Sequence, residues 1–310
     1  VTLLKNEHSL LPLNKDISRI ALVGPNADNR YNMLGDYTAP QEEENVKTVL
    51  DGICAKLSPT QVEYVKGCAV RDTTTSNLEQ AVAAARRSEV IIAVVGGSSA
   101  RDFKTSYKET GAAIADEKTV SDMECGEGFD RTTLSLLGKQ QELLKALKAT
   151  GKPLVVVYIE GRPLDKNWAS ENADALLTAY YPGQEGGNAI ADVLFGDYNP
   201  AGRLPITVPR SVGQIPIYYN KKAPQKHDYV ELSASPLYPF GYGLSYTTFE
   251  YSDLYLSAIT PHSFEVSFKV RNTGECDGEE VAQLYLRDEY ASVVQPLKQL
   301  KQVGGQAVLG

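Results

Sequence analysis

Val90-Ile91-Ile92-Ala93-Val94-Val95, closed by Gly96-Gly97-Ser98-Ser99, decides the fold. The run is apolar throughout and β-branched at every position except Ala93. A strand with one wet face alternates; a strand covered on both faces does not, so this run predicts a buried strand of a parallel sheet. Just upstream, Leu78 to Arg87 carries apolar residues at Leu78, Ala81, Val82 and Ala85. That i, i+3, i+4, i+7 spacing predicts an amphipathic helix, with Ser76 and Asn77 as N-cap candidates.

Outward from there the same alternation repeats. Ile20-Ala21-Leu22-Val23, closed by Gly24-Pro25-Asn26, predicts a buried strand and a turn, and Val62-Glu63-Tyr64-Val65 a second strand. Gly52 to Ser58 reads as helix end or loop. Leu134 to Ala149 predicts a helix from Leu136, Leu137, Leu143, Leu144 and Leu147, with Lys145 and Lys148 near its end. Leu154 to Ile159 and Ala175 to Tyr180 are further strands, closed by Glu160-Gly161-Arg162-Pro163 and Pro182-Gly183; Gly186 to Leu194 reads as helix. Residues 1–19 read as a connecting segment held by its leucines. Strand–helix alternation implies an α/β fold, a mainly parallel sheet sandwiched by helices over residues 20–235. In such sheets the site lies beyond the C-terminal strand ends. Three loops leave those ends: Gly24–Pro40, Gly96–Arg131 and Glu160–Asn167.

After about residue 195 the chain becomes extended and turn-rich. Tyr238-Pro239-Phe240-Gly241-Tyr242-Gly243-Leu244-Ser245-Tyr246 marks a boundary, so residues 236–310 form a separate part. There Ser263 to Val270 alternates strictly, turns at Asn272-Thr273-Gly274 and returns as Val281 to Leu286, which predicts a half-buried antiparallel pair. An immunoglobulin-type sandwich takes about 100 residues and about seven strands, so a partial antiparallel β-sandwich, cut short, is expected.

Composition narrows the function. With 310 residues the chain has room for about two domains. A net charge of −8, from 31 basic and 39 acidic residues, argues against a nucleic-acid or anionic-membrane partner. No apolar run approaches the ~20 residues needed to span a bilayer. The first residues, Val1-Thr2-Leu3-Leu4-Lys5, lack Met and the regions of a signal peptide, so the expectation is that the natural start lies upstream. Cys54, Cys68, Cys125 and Cys276 have no zinc-site spacing; Cys54 and Cys68 could form a disulfide or remain free thiols. No metal or organic cofactor is indicated.

Chemistry concentrates in the long polar loop of residues 100–130. Loops longer than about 12–15 residues inside a compact domain are usually functional or disordered. It ends in Cys125-Gly126-Glu127-Gly128-Phe129-Asp130-Arg131. A carboxylate framed by glycines has no packing role there. Glu127 is a candidate general acid, its pKa tuned by loop closure over a pocket; the bland alternative is a solvated loop residue. Asp116, Glu117, Asp122 and Glu124 share the loop, and Glu124 is the strongest competitor. Asp130 and Arg131 are expected to pair with each other or pin the loop to the following helix. Glu160 is another carboxylate candidate, or a turn residue. Gly96-Gly97-Ser98-Ser99-Ala100 resembles a nucleophile elbow but has Ala100 where glycine is needed, and His227 would have to be the base. No G-x-G-x-x-G or P-loop follows any strand. A binding module without catalysis remains a further option.

Seven stretches in order carry a resemblance: Lys5-Asn6-Glu7 with Leu10-Leu11-Pro12-Leu13, Val23 to Asp28, Gly126 to Arg131, Gly161-Arg162-Pro163-Leu164, Tyr181 to Gly187, Pro200 to Pro205, and Phe240 to Tyr246. Together they resemble the C-terminal half of glycoside hydrolase family 3, the β-glucosidase and β-xylosidase family. The resemblance implies an α/β sandwich domain supplying the acid/base at Glu127, with Asp130, Arg131 and Glu124 in support. It implies an aspartate nucleophile on an N-terminal barrel domain outside this chain, and a fibronectin-III-like domain at the C-terminal end. It further implies a β-linked oligosaccharide substrate, a retaining mechanism, a periplasmic or secreted location, and no turnover by this chain alone. The alternative is a carbohydrate-binding or interaction module.

Overall fold

The computed structural model describes residues 1–39, 41–99, 109–110, 122–126, 130–222, 227–260 and 263–308. Its centre is a six-stranded sheet in the order β1-β6-β5-β4-β2-β3, built from β1 (Thr2–Asn6), β2 (Ile20–Val23), β3 (Val62–Val65), β4 (Val90–Gly96), β5 (Leu154–Ile159) and β6 (Ala175–Thr178). β4 lies between β2 and β5, in parallel register with both: Ile20 faces Val90 and Ile91 faces Leu154.

Successive β4 side chains point to opposite faces. Val90, Ile92 and Val94 meet one core layer, with Val49 and Ile53 of α1 (Val49–Cys54) and Ile190 and Leu194 of α5 (Gly186–Leu194). Ile91, Ala93 and Val95 meet the other, with Ala81, Ala84 and Ala85 of α2 (Leu78–Arg87) and Leu143, Leu144 and Leu147 of α3 (Gln140–Lys148). Every one of these side chains is buried. The continuous apolar run is therefore what a strand covered by helices on both faces requires. Burial of each Ile or Val contributes about 1.5–3 kcal/mol.

Two strand-ending glycines let the sheet close tightly. Gly24 and Gly96 adopt φ of 121° and 134°. A Cβ on Gly24 would stand 2.1 Å from the Val94 carbonyl oxygen, and one on Gly96 2.0 Å from that of Ile159. Only glycine fits either position.

Several sequence expectations need correction. Thr2–Asn6 is not connecting chain: it is an edge strand paired antiparallel with β6, while Leu11 and Leu13 do pack into the core. The helix expected from Leu134 begins only at Gln140. Gly138, at φ 59°, turns the chain beneath the Val70 and Arg71 carbonyls, and Gln140 is drawn inward to hydrogen-bond the end of β4. The reading of Gly52 to Ser58 as helix end or loop agrees with α1, which ends at Cys54 and starts at a capping box in which the Thr48 and Asp51 side chains each accept the other's backbone N–H. A short helix, α4 (Asn167–Asn172), was not anticipated.

The segment after α5 returns across the sheet edge. The Leu244 N–H donates to the Leu3 carbonyl at 2.8 Å, the Tyr242 hydroxyl to the Leu4 carbonyl at 3.2 Å, and the Tyr246 hydroxyl to the Val193 carbonyl at 2.7 Å. The aromatic, glycine-rich stretch thus seals β1 as well as ending the α/β part.

Beyond it stand two antiparallel ribbons: β7 (Phe249–Thr260) with β8 (Ser263–Asn272), and β9 (Gly278–Leu286) with β10 (Gln299–Val308). The expected pairing of 263–270 with 281–286 is corrected. The turn after Asn272 carries the chain from one ribbon to the other, because β8 already has β7 as its partner. The two ribbons face each other across a cleft of about 570 Å³ lined by Tyr251, Leu254, Val266, Phe268 and Leu284. This keeps the expected partial antiparallel sandwich, with different neighbours.

Candidate active site

The C-terminal ends of β2, β4 and β5 converge on a buried polar network. Asn26 donates through Nδ2 to the Gly97 carbonyl at 3.0 Å, Asn32 donates to Asn26 Oδ1 at 2.7 Å, and the Ser98 hydroxyl donates to Asn32 Oδ1 at 2.6 Å. All three side chains are buried. Gln140 accepts the Gly96 N–H at 2.8 Å and donates to the Gly96 and Val70 carbonyls. Buried amides of this kind must be satisfied, and here they fix the geometry of the loop that leaves β4.

The far end of that loop is anchored at successive points. The Asp122 carboxylate accepts the backbone N–H groups of Val70, Arg71 and Asp72 at 2.7, 2.8 and 3.2 Å. The Glu124 N–H donates to the Ser98 carbonyl at 2.8 Å, which lays the end of the loop beside its beginning. The Glu124 side chain is fully buried and forms an ion pair with Arg131, itself 7% exposed. Gly97 makes room for it: a Cβ there would stand 2.0 Å from Glu124 Oε1. Arg131 also donates to Thr133 Oγ1 at 3.2 Å and to the Ser135 carbonyl.

Asp130 does not pair with the Arg131 guanidinium, as the sequence suggested. It accepts the Arg131 backbone N–H at 2.7 Å, and its carboxylate pairs with Arg162 at 2.8 Å. Nor does Arg131 pin the loop to the start of α3, which lies farther along the chain. Gly126 packs beside Asp36; a Cβ on it would approach Asp36 Oδ2 to 3.2 Å.

Glu160 is neither a free carboxylate nor a plain turn residue. It is buried, with Oε1 accepting the Thr178 hydroxyl at 2.6 Å and Oε2 accepting the Leu164 N–H at 2.9 Å. The fully buried Lys166 ammonium contacts both oxygens at 2.6 Å and lies over the Tyr158 ring. This pair closes the loop that carries Arg162.

Electrostatics follow from burial. Burial pushes the Glu124 carboxyl above its usual range, and the Arg131 guanidinium only partly offsets this. Burial and then Glu124 push the Cys125 thiol up. The Arg131 N–H, followed by Arg162, holds Asp130 low. Burial lowers Lys166 against the pull of Glu160.

Glu127, Asp116, Glu117 and the greater part of the Arg101–Met123 stretch lie outside the described residues. Glu124 and Arg131, on either side of Glu127 in the chain, are brought together, whereas Asp130 turns to Arg162. Ser98 is committed to Asn32, and His227 is exposed. Asn26, Asn32, Gln140 and Lys166 were not singled out by the sequence. Asn26 sits in a recognised turn cluster, and only its burial reveals a second role. All four cysteines are free thiols. Among the described residues, no group of three His, Cys, Asp or Glu side chains could hold a metal ion, and no helix is long and apolar enough to cross a membrane.

The polar loop is thus tied back to the strand ends of a six-stranded α/β sheet, and the comparison with known families gives that arrangement a place. Residues 1–246 match the glycosyl hydrolase family 3 C-terminal domain. The chain belongs to glycosyl hydrolase family 3. Family 3 relatives include a β-xylosidase of Formosa agariphila, 39% identical over 97% of this chain and 40% of its own length. Another is a periplasmic β-glucosidase of Salmonella typhimurium, 39% identical over 97% of this chain and 41% of its own length. Among solved family 3 structures, a Listeria innocua β-glucosidase in complex with isofagomine superposes with a TM-score of 0.82 at 31% identity, covering 99% of this chain and 41% of that one. A β-glucosidase involved in saponin metabolism from intestinal bacteria gives 0.83 at 30% identity, over 99% of this chain and 46% of that one. The chain therefore spans about 40% of the length of the curated family 3 relatives it matches.

Proposed function

We propose that this chain is the acid/base-bearing part of a retaining, exo-acting β-glycosidase, a β-glucosidase or β-xylosidase, with Glu127 as the general acid/base. The observation that carries this reading is the bracket around Glu127. The Glu124–Arg131 ion pair joins the residues three before and four after it, at the C-terminal edge of the sheet. A carboxylic acid that must meet a glycosidic oxygen needs a fixed approach, and a buried ion pair between its flanks ties down the two ends of the segment that carries it.

A retaining glycosidase uses two carboxyl groups about 5–5.5 Å apart. One attacks the anomeric carbon while the other protonates the departing oxygen; the second then takes a proton from the water that releases the sugar. In this reading Glu127 performs both proton transfers, and the nucleophile comes from a barrel domain of the full-length protein. The substrate is a β-linked oligosaccharide, cleaved at its terminal sugar. A periplasmic or secreted location is supported by the name of the Salmonella typhimurium relative.

The reading makes this chain inactive by itself on aryl β-glucosides and β-xylosides. In the full-length gene product, Glu127→Ala should slow turnover most on substrates with poor leaving groups, with partial recovery on adding azide. If Glu124→Ala behaves this way and Glu127→Ala does not, the assignment is wrong.

A further inference from the structure

We propose that Arg162 is a positioning residue for the acid/base turn: from the loop after β5 it holds one flank of the segment carrying Glu127, through the Asp130 carboxylate. This deepens the reading of Glu127 given above and rests on it.

The contacts are specific. One Arg162 guanidinium nitrogen lies 2.8 Å from Asp130 Oδ1, and the charge of Arg162 counters the upward push on the Cys125 thiol. Cys125 and Asp130 stand on either side of Gly126 to Phe129. A planar fork with several fixed donors can hold a carboxylate in one orientation, whereas a lysine ammonium is a point charge on a flexible stem.

Arg162 is itself held at both ends of its loop. The Glu160–Lys166 pair closes that loop beneath it, inside the core. The ring of Tyr181 packs so closely on Gly161 that a Cβ there would meet it at 2.6 Å. Two ion pairs therefore stand on either side of the contact: Glu124–Arg131, which flank Glu127 in the chain, and Glu160–Lys166, which flank Arg162. The Arg162–Asp130 pair is the bridge between them.

Global stability does not account for that bridge. The Asp130 side chain is 68% exposed and that of Arg162 29%, and such pairs contribute little to folding. What the bridge can do is restrict one loop relative to the other. Among the described residues, the charged groups around the flanks of the turn include Asp36 beside Gly126, the Glu124–Arg131 pair, and Asp130 with Arg162.

The test combines two readouts. On the purified chain, amide hydrogen exchange is followed in wild type, Arg162→Gln and Arg162→Lys. Arg162→Gln should speed exchange across residues 122–131 about 10-fold, leaving α3 and β5 unchanged, with Arg162→Lys intermediate. In the full-length gene product, Arg162→Gln should lower kcat on a disaccharide about 10- to 100-fold with KM within about twofold, and affect an activated dinitrophenyl glycoside far less. Unchanged exchange overturns the clamp. Faster exchange with unchanged kcat makes Arg162 structural only and overturns the positioning role. Glu127→Ala is measured alongside. If its effect does not depend on the leaving group, the acid/base reading fails, and the positioning claim with it, whatever Arg162→Gln does to exchange.

Discussion

Glu124 and Arg131, seven positions apart, form a buried ion pair whose two side chains are 0% and 7% exposed. The pair ties together the ends of the segment that contains Glu127. Desolvating two charges costs several kcal/mol, so such a pair is weak support for stability. Its value here is conformational: it holds Glu124 and Arg131 in one relative position.

Breaking only one half of that pair should be costly. Glu124→Gln leaves the Arg131 guanidinium buried without its counter-charge, and a loss of about 3–5 kcal/mol is expected in chemical denaturation. The double variant Glu124→Gln with Arg131→Met should recover part of that loss. Additive losses would show that the two side chains do not interact.

The strand-ending glycines differ in how much they tolerate. Gly96→Ala forces a Cβ to within 2.0 Å of the Ile159 carbonyl oxygen and should cost about 3 kcal/mol or more. Gly151 also has a positive φ, 77°, but a Cβ there meets nothing within 4 Å. Gly151→Ala should cost only the backbone strain, about 1–2 kcal/mol. Thermal melts of the two variants make the comparison.

Acid should weaken the fold through Asp174. Burial works to raise its pKa, but the Leu154 N–H and the Lys148 ammonium outweigh it, and the folded value lies below the usual one. As pH falls through about 4 the unfolded chain takes up the proton first, so the contribution present above that pH is lost toward the lower folded value. Glu124 has the opposite sign: its folded value is raised, so its contribution is full below the ordinary glutamate range and lost as pH rises through the folded value. Asp174→Asn should flatten the acid limb of a stability–pH profile. An unchanged limb would remove Asp174 from this role.

The cysteines should divide by burial. Cys54 and Cys276 are exposed, whereas Cys68 and Cys125 are buried. Burial first, then the Asp122 charge, push the Cys68 thiol up to about 12. Alkylation near pH 8 should modify Cys54 and Cys276 and spare Cys68 and Cys125 until the protein is unfolded.

What the sequence disclosed followed patterns that chain neighbours control. Val90–Val95 announced a strand covered on both faces, and the spacing of Leu78 to Arg87 announced its helix. Long-range partners were not legible. Thr2–Asn6 is a strand only because β6 lies beside it, and β8 pairs with β7 although its nearest alternating neighbour downstream is β9. At the site, the glycine-framed Glu127 drew notice by composition. Glu160 and Lys166, six residues apart, gave no sign of being a buried pair until the loop between them was seen to fold back. Asp130 and Arg131, adjacent in sequence, point to different partners, since neighbouring side chains need not face each other.

The most direct measurement is kcat for Glu127→Ala in the full-length gene product across β-glycosides of graded leaving-group basicity. The account predicts a loss that deepens as the leaving group becomes more basic, with partial recovery in azide. A uniform loss across the series, or none, would contradict it.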